Sequence, residues 1–347
     1  MKKLKLISLF SGTGGLDRGF ENAGFKIVWA NEFDKTIWPS FQKNFPKTKL
    51  DTRSIVEIDP NEAPDCDGII GGPPCQSWSE AGAARGINDP RGRLFNDYVK
   101  FIKAKKPKFF LAENVQGLLF KRHSDALNNI FEEFLKAGYN VTYHLLNAND
   151  YGVPQDRKRV IIVGYPVSFE EHFQPPEPEE YKPTLKDAIW DLRNNAVPAL
   201  EKNKTNPKMK IANHEYMIGG FSTMYMSRNR VRSWDEPSFT IQAGGRHAPC
   251  HPQAPKFELV KKDKRKFVTG KEDLYRRLTI RECARVQTFP DTHIFEYNSV
   301  ADGYKMIGNA VAVDFAAKIA AKIRDDLKRL GNMPIDFNKK GTLRQPF

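Results

Sequence analysis

The sequence contains few cysteines, and they are widely spaced. The four (Cys66, Cys75, Cys250 and Cys283) form no CxxC pair, which argues against both a disulfide framework and a zinc site. We therefore expect a protein of a reducing cytosol that binds no metal. The basic start Met1–Lys5 precedes an apolar run too short for a signal peptide, and no segment approaches the length of a membrane span.

Acidic residues are also in deficit. The chain of 347 residues has 42 Asp and Glu against 55 Lys and Arg, a formal net charge of +13. This excess favours a polyanionic partner such as nucleic acid, because lysine and arginine displace counterions from phosphates. The alternative is a basic soluble protein without such a partner.

The chain is long enough for two domains, and its character changes near the middle. Strand and helix patterns alternate up to Tyr165, which predicts an α/β sheet. A segment rich in proline and glutamate, 166–183, is typical of a linker. Beyond it helical periodicity is poor, which predicts a less regular second domain.

A glycine-rich turn follows the first predicted strand. Leu4–Phe10 is apolar, Ser11-Gly12-Thr13-Gly14-Gly15 follows, and a helical pattern begins after it. Backbone N–H groups at such a helix start attract polar or anionic ligand groups. Glu32 ends the second predicted strand about twenty residues later, where nucleotide-binding folds place a carboxylate on ribose hydroxyls. The alternative is a coincidental tight turn and a solvated glutamate.

Cys75 ends a stiff loop. Ile69-Ile70 runs into Gly71-Gly72-Pro73-Pro74-Cys75, which predicts a buried strand that displays a thiol at its carboxyl end, where α/β sheets bind ligands. Cys75 is thus a candidate nucleophile, although a buried structural cysteine is the alternative. The small and polar segment 81–92 is either a loop that closes over substrate or a disordered surface connection.

A carboxylate and two arginines complete the candidate site. Glu113 follows a predicted strand, 108–112, and could act as a general acid if desolvation raises its pKa. A capping or ion-paired glutamate is the alternative. Arg157 and Arg159 stand two residues apart, so on an extended segment both would face one side and suit a phosphate or a carbonyl-bearing base. A solvated basic loop would contain the same residues.

The second half of the chain is rich in arginine and lysine. Arg228, Arg230 and Arg232 alternate along one predicted extended segment, and Arg246 lies on a glycine loop. Arginine reads guanine edges in the major groove, although a solvated basic strand would look the same. Residues 256–281 include ten basic and four acidic residues, a composition suited to phosphate contacts.

Two helices are predicted near the C-terminus. Thr279 and Glu282 have the spacing of a capping box at a helix start. Gly308-Asn309 is predicted to open the last helix, which runs to about Leu330. The remaining residues, 331–347, are predicted to form a frayed tail.

Six motifs occur in a defined order along the chain. They are Phe10-Ser11-Gly12-Thr13-Gly14-Gly15, Gly72-Pro73-Pro74-Cys75-Gln76, Glu113-Asn114-Val115, Gln155-Asp156-Arg157-Lys158-Arg159, Arg277-Leu278-Thr279-Ile280-Arg281-Glu282 and Gly308-Asn309-Ala310-Val311. The ordered set resembles the motif series of bacterial DNA (cytosine-5)-methyltransferases. Further segments (227–232, 251–255 and 302–309) are most similar to the HaeIII-type enzymes that modify GGCC sites.

The resemblance implies a fold and a division of the chain. The fold is α/β, a Rossmann-like S-adenosylmethionine-dependent methyltransferase sheet with a second, smaller irregular target-recognition domain. The catalytic domain would comprise 1–167 and 302–330, the target-recognition domain 168–301, and the tail 331–347.

It also implies roles for the site residues. Cys75 would attack C6 of a cytosine flipped out of duplex DNA, and the 81–92 loop would close over it. Glu113 would hold N3 of the base, Arg157 would contact its carbonyl side, and Arg159 would support the site. The S-adenosylmethionine pocket would be lined by Phe10, Gly12, Gly14, Gly15, Glu32 and Asn309. DNA contacts would come from Arg228, Arg230, Arg232 and Arg246.

The partner implied is double-stranded DNA, bound by a monomer in the bacterial cytoplasm. The enzyme would belong to a restriction-modification system, with a possible cognate endonuclease but no stable complex with it. Two positions depart from the family pattern. Ser54 stands where an aspartate is usual, with Asp51 nearby, and Ala312 stands where a proline is usual. Both lie on the cofactor side, which predicts weaker binding of S-adenosylmethionine.

Three other functions share part of the pattern. A nicotinamide-dependent oxidoreductase would share the glycine turn and Glu32, but it would need neither the Pro-Pro-Cys loop nor an arginine-rich second domain. A catalytically silent DNA-binding homologue would keep the basic domain. An RNA cytosine-5 methyltransferase would share the active site.

Overall fold

The computed structural model describes residues 3–74, 93–330 and 333–345. The strands in this part of the chain are β1 Lys5–Leu9, β2 Lys26–Asn31, β3 Lys49–Asp51, β4 Gly68–Gly71, β5 Phe109–Val115, β6 Tyr139–Asn147, β7 Lys158–Pro166, β8 Val197–Pro198, β9 Glu215–Tyr216, β10 Glu258–Lys261, β11 Lys264–Lys266 and β12 Leu343–Arg344. The α-helices are α1 Gly15–Asn22, α2 Trp38–Asn44, α3 Arg93–Lys105, α4 Ser124–Lys136, α5 Leu185–Ile189, α6 Ile280–Val286, α7 Val300–Asn309 and α8 Val313–Leu330.

Within the described ranges, eight of the strands form one sheet in the order β12-β6-β7-β5-β4-β1-β2-β3. Only β7 is antiparallel to its neighbours β5 and β6 there. The chain winds outwards in opposite directions from β1 and β4, so a crevice opens beyond their carboxyl ends. The predicted α/β sheet is confirmed, and this crevice is where such sheets bind ligands.

Helices cover both faces of the sheet because each presents an apolar stripe to it. On one face α1 and α8 pack together, and a Cβ on Gly19 of α1 would lie only 2.4 Å from that of Ala316. On the other face, Tyr98 of α3 and Phe134 of α4 join the second core, and Phe134 stacks on Phe110 of β5 at 4.3 Å. The sheet is therefore buried on both sides, as its apolar strands require.

The second half of the chain contributes two further clusters. One joins α2 to α5, α6 and α7. The other is a small aromatic cluster that includes Tyr225, Phe257 and Tyr275. In the segment predicted as a linker, Phe169 and Phe173 are buried against the first core, so this segment packs on the sheet domain.

Two sequence predictions about the C-terminal part are wrong. Gly308 and Asn309 end α7, and the last helix begins at Val313. A Cβ added at Gly308 would lie 2.2 Å from the Gln242 backbone, so only glycine fits at this position.

The tail is ordered where it is described. Leu343–Arg344 forms β12, a parallel edge strand beside β6, and the Phe337 ring packs 5.2 Å from that of Tyr139. These contacts give residues 333–345 a packed position at the sheet edge, in contrast to the predicted frayed tail. The capping box prediction is confirmed, because Thr279 and Glu282 each accept a hydrogen bond from the other's backbone N–H, at 3.0 and 2.8 Å.

Candidate active site

The glycine turn leaves β1 with an unusual backbone. Phe10 and Gly12 both have φ of 55°, and Gly14 has φ of 86° where it caps α1. Among the described residues, a Cβ at Gly12 would have no neighbour within 4 Å, whereas one at Gly14 would lie 2.1 Å from the Phe45 ring. The space over Gly12 is therefore open, while Gly14 is required by both its backbone angle and its packing.

Glu32 lies across the turn from Gly12. Its two carboxyl oxygens accept hydrogen bonds from the backbone N–H groups of Gly12 and Asp34, each at 2.8 Å. Burial raises the pKa of Glu32, and these two hydrogen bonds oppose the rise. Each oxygen keeps a free lone pair, so the carboxyl could accept ligand hydroxyls as well.

An exposed aromatic residue adjoins this carboxylate. The side chain of Phe33 is 69% exposed immediately after Glu32, and large apolar side chains so exposed beside a crevice are candidates for ligand contact. Sequence reasoning missed Phe33, although an aromatic residue directly after an acid at a strand end was a usable signal. Asp51 lies opposite Asn31 across β2 and β3, and its carboxyl is bound by Arg53 at 2.7 Å.

The segment after α7 reaches the same turn. A Cβ on Gly15 would lie 2.3 Å from the Val311 carbonyl oxygen, so residues 310–311 pack directly on the start of α1. Asn309 is exposed at the end of α7. The structure thus brings Phe10, Gly12, Gly14, Gly15 and Glu32 together, with Asn309 on the neighbouring segment.

A buried carboxyl group lies in the first turn of α1. Asp17 is fully buried, and among the described residues no hydrogen bond of normal length satisfies either of its oxygens, although the Ser8 hydroxyl of β1 lies close enough to oppose part of the effect of burial on its pKa. Burial is the main cause that raises the pKa of Asp17 to about 7. An ionised Asp17 therefore destabilises the fold near neutral pH.

We expect Asp17→Asn to remove a pH dependence of stability. Because the pKa is raised on folding, the folded state holds a proton that the unfolded chain releases between pH 3.8 and about 7. The free energy of unfolding of the wild type is therefore unaffected by Asp17 below this window. It falls as the pH rises through the window, by up to about 1.4 kcal/mol per pH unit. Urea unfolding between pH 5 and pH 8 measures the difference.

The matched control is Asp125→Asn, which alters an exposed aspartate in the first turn of α4. It should leave the pH dependence as in the wild type. An Asp17→Asn protein whose stability falls with pH as steeply as that of the wild type would contradict the prediction.

Cys75 and the 81–92 loop lie outside the described residues. The chain just before Cys75 is held beside Glu113, since β4 and β5 run in register with Gly71 opposite Ala112. Asn114 donates its side-chain N–H to the Pro73 carbonyl at 2.9 Å. A Cβ on Gly72 would lie 3.3 Å from Oε2 of Glu113, so glycine there leaves room for the carboxyl group.

Glu113 is paired with Arg159. The Arg159 Nε lies 2.8 Å from Glu113 Oε1, and each side chain is 11% exposed. The pairing follows from the antiparallel register, in which Ile161 is opposite Glu113 and Arg159 is opposite Val115. The two side chains are diagonal neighbours on one face of the sheet. Glu113 is thus ion-paired, which the sequence analysis gave as the alternative to a general acid. The pairing places a fixed positive charge beside its carboxyl group.

Arg157 does not lie with them. Its guanidinium is 1% exposed and donates to the backbone carbonyls of Ile241, Gly308 and Ala310 at 2.8–2.9 Å. Burial, with Arg159 nearby, lowers its pKa. The predicted contact of Arg157 with the base is therefore corrected: this side chain ties the recognition region and the end of α7 to the sheet. The prediction that Arg157 and Arg159 face the same side is wrong, because β7 begins at Lys158 and Arg157 precedes it.

The predicted DNA-contacting arginines divide into two kinds. Arg228 and Arg246 are exposed and have no ion pair or hydrogen bond from their side chains within the described part of the chain. Arg230 lies over the Tyr225 ring at 5.0 Å. Arg232 binds Asp156 and Glu236, both at 3.0 Å, so its guanidinium is already paired within the protein.

Membrane spans and metal clusters are both absent from residues 3–74, 93–330 and 333–345. No helix in these ranges is long and apolar enough to cross a membrane. No cluster of three histidine, cysteine, aspartate or glutamate side chains there could hold a metal ion.

Comparison of the sequence with known proteins assigns the chain to a family. The profile of the C-5 cytosine-specific DNA methylases matches residues 4–325. Type II methyltransferase M.FnuDI of Fusobacterium nucleatum is 58% identical over 93% of this chain and 95% of its own length. Type II methyltransferase M.NgoPII of Neisseria gonorrhoeae is 55% identical over 94% of this chain and 97% of its own length.

Solved structures agree on the fold. The Entamoeba histolytica methyltransferase EhMeth superposes with a TM-score of 0.69 at 19% identity, over 94% of this chain and 99% of that one. A Spodoptera frugiperda DNMT2 variant gives 0.67 at 19% identity, over 94% of this chain and all of that one. With a family profile that spans residues 4–325 and relatives more than half identical over nearly its whole length, this protein belongs to the C-5 cytosine-specific DNA methylase family and is a methyltransferase.

Proposed function

We propose that the protein methylates C5 of a cytosine flipped out of duplex DNA, as the modification enzyme of a restriction-modification system, with GGCC as the target. One observation carries the proposal: the Glu113–Arg159 pair lies beside the chain leading to Cys75, at the sheet edge where the glycine turn and Glu32 form a ligand crevice. The similarity to M.FnuDI and M.NgoPII, which are both Type II methyltransferases, supports the restriction-modification part. GGCC rests on the similarity of segments 227–232, 251–255 and 302–309 to HaeIII-type enzymes.

The crevice residues fit S-adenosylmethionine. The open space over Gly12 admits a ligand, Glu32 has lone pairs for ribose hydroxyls, and exposed Phe33 offers a surface on which adenine could stack. Phe10, Gly14, Gly15 and Asn309 would complete the pocket. When bound, S-adenosylmethionine supplies the electrophilic methyl group. The weaker binding expected from Ser54 and Ala312 stays a prediction.

Cys75 would act as the nucleophile. Its thiolate would add to C6 of the cytosine, and the C5–C6 π electrons would shift so that C5 becomes nucleophilic. C5 would then bond to the methyl group while the methyl–sulfur bond of S-adenosylmethionine breaks, and S-adenosylhomocysteine would leave with that electron pair on sulfur. A base then removes the C5 proton, and the C5–H electrons re-form the double bond as the sulfur leaves C6 with the bonding pair. The product is 5-methylcytosine and the free thiolate.

Glu113 and Arg159 would orient the ring for that addition. A carboxyl beside N3 and the exocyclic amine stabilises the charge that develops there during attack. Arg159 holds this carboxyl by the 2.8 Å ion pair and leaves N–H groups for the base carbonyl. We therefore assign to Arg159 the base contact first expected of Arg157.

The region 168–301 would recognise the target. Arg228 and Arg246 have free, exposed side chains within the described part of the chain, and Arg230 is only partly covered by Tyr225. These three are the better candidates for DNA contacts, whereas Arg232 holds the region to Asp156. We further propose that the enzyme works as a monomer in the bacterial cytoplasm, with no stable complex with any cognate endonuclease.

Bisulfite sequencing of plasmid DNA from cells that express the chain tests the proposal. We expect one cytosine of each GGCC site to resist conversion and cytosines elsewhere to convert. Protection at another sequence would overturn GGCC alone. A fully converted plasmid would contradict DNA methylation, and protected cytosines in RNA from the same cells would then favour the RNA alternative.

A further inference from the structure

A basic ribbon extends from the recognition region. β10 and β11 pair antiparallel, and every residue of β10 is exposed. Over residues 258–266 the ribbon contains five basic and two acidic side chains. It is also apolar in part, because Leu259 is 64% exposed and Val260 50% exposed. Neither the catalytic crevice nor the recognition arginines account for this surface.

The basic charge is concentrated at the tip. Lys261 lies directly opposite Lys264, and Lys262 and Asp263 form the turn between them, with φ of 56° at Asp263. Like charges directly opposite one another destabilise an antiparallel pair. Among the described residues, the side chains of these three lysines make no ion pair, while Lys266 at the other end binds Glu258 at 3.1 Å. Asp263 offsets only part of this charge and, in the part of the chain that the structure describes, forms no ion pair with the three lysines, so the tip stays net positive.

The base of the ribbon is fixed to the arginine segment. Phe267 stacks on Tyr275 with the ring centroids 4.1 Å apart, within the aromatic cluster of the recognition region. The Phe257 N–H donates to the Asn229 side chain at 3.1 Å. Because Asn229 lies between Arg228 and Arg230, the ribbon begins where two candidate DNA contacts lie.

We propose that the β10–β11 ribbon binds the phosphate backbone of the target duplex through Lys261, Lys262 and Lys264. The inference rests on the proposed function, since it takes DNA as the substrate. Phosphates supply counter-charge for the three lysines at the tip. Phosphate contacts carry no sequence information, so the ribbon contributes affinity and leaves target choice to the arginines.

The test is the salt dependence of DNA binding. The triple variant Lys261→Gln, Lys262→Gln, Lys264→Gln is compared with wild type by fluorescence anisotropy, on one duplex with GGCC and one with a scrambled site. We expect the slope of log affinity against log salt to become shallower by about 0.9 for each phosphate that the variant no longer neutralises, and so by about 2 to 3. Both duplexes should lose affinity by the same factor.

The matched control removes the same charge elsewhere. Lys3, Lys26 and Lys339 are exposed, and the first two lie at the amino ends of β1 and β2, opposite the crevice. Their triple change to glutamine should leave the slope within experimental error. An equal change in this control, an unchanged slope in the ribbon variant, or a loss confined to the GGCC duplex would each overturn the inference.

Phosphate binding by the ribbon and methylation of duplex DNA can fail separately. A wild type that binds and methylates DNA while the ribbon variant keeps its salt slope overturns the ribbon alone. A wild type that binds neither duplex and methylates no plasmid overturns both.

Discussion

Replacing Cys75 with alanine is expected to abolish methylation, with a loss on the order of 10⁴- to 10⁶-fold in kcat. Without the thiolate no bond forms to C6, and C5 of cytosine remains too weak a nucleophile to accept a methyl group. Binding should be unaffected, because the proposed cofactor contacts come from other residues such as Gly12 and Glu32. Methyl transfer to a GGCC duplex, titration calorimetry with S-adenosylmethionine and thermal unfolding measure the three quantities.

The matched control is Cys66→Ala. Cys66 is a partly buried free thiol just before the amino end of β4, whereas Cys75 follows its carboxyl end. This control should keep wild-type activity. A Cys75→Ala protein that retains a tenth of the wild-type rate would contradict the nucleophile assignment.

Covalent chemistry can be read out directly. A duplex with 5-fluorocytosine at the target carries fluorine in place of the C5 proton, and fluorine cannot leave as a cation after methyl transfer. We expect the wild type and Cys66→Ala to form a protein–DNA adduct that survives denaturation, and Cys75→Ala to form none.

The second large effect is expected from Glu113→Gln, with kcat lowered by about 10² to 10⁴. The amide keeps the shape of the side chain but has no acidic proton to donate to N3, where negative charge develops during attack. It also leaves the Arg159 guanidinium without its partner at an 11% exposed site, which costs about 3 to 5 kcal/mol of stability. Steady-state kinetics and urea unfolding are therefore measured on the same protein.

A double variant separates the two effects. In Glu113→Gln, Arg159→Gln the Arg159 cation is removed together with its partner, so much of the lost stability should return, while activity should remain low. Recovery of activity together with stability would mean that Glu113 matters only as a partner of Arg159. A Glu113→Gln protein with kcat within about fivefold of wild type would also contradict the assignment.

The sheet and its glycine turn could be predicted from local patterns. An apolar strand, a run of glycines and an amphipathic helix are each encoded within about ten neighbouring residues, so β1, the turn and α1 followed directly. The Thr279–Glu282 capping box was equally local and was confirmed.

Predictions that needed the position of distant segments failed more often. The spacing of Arg157 and Arg159 predicts that both face one side of the segment. In the structure only Arg159 belongs to β7 and pairs with Glu113. Arg157 is buried instead by carbonyls from residues 241, 308 and 310. Arg232 pairs with Asp156, which lies 76 positions earlier in the chain.

The sequence by itself determined the family and the α/β sheet, because motif order and strand and helix patterns are properties of neighbouring residues. Only the tertiary structure decided which of two arginines meets Glu113, where Asn309 lies, and that Leu343–Arg344 forms an edge strand of the sheet. The physical reason is that these outcomes depend on strand register and on which distant backbone groups need a partner. Both are set when the segments pack, and neither can be read from spacing along the chain.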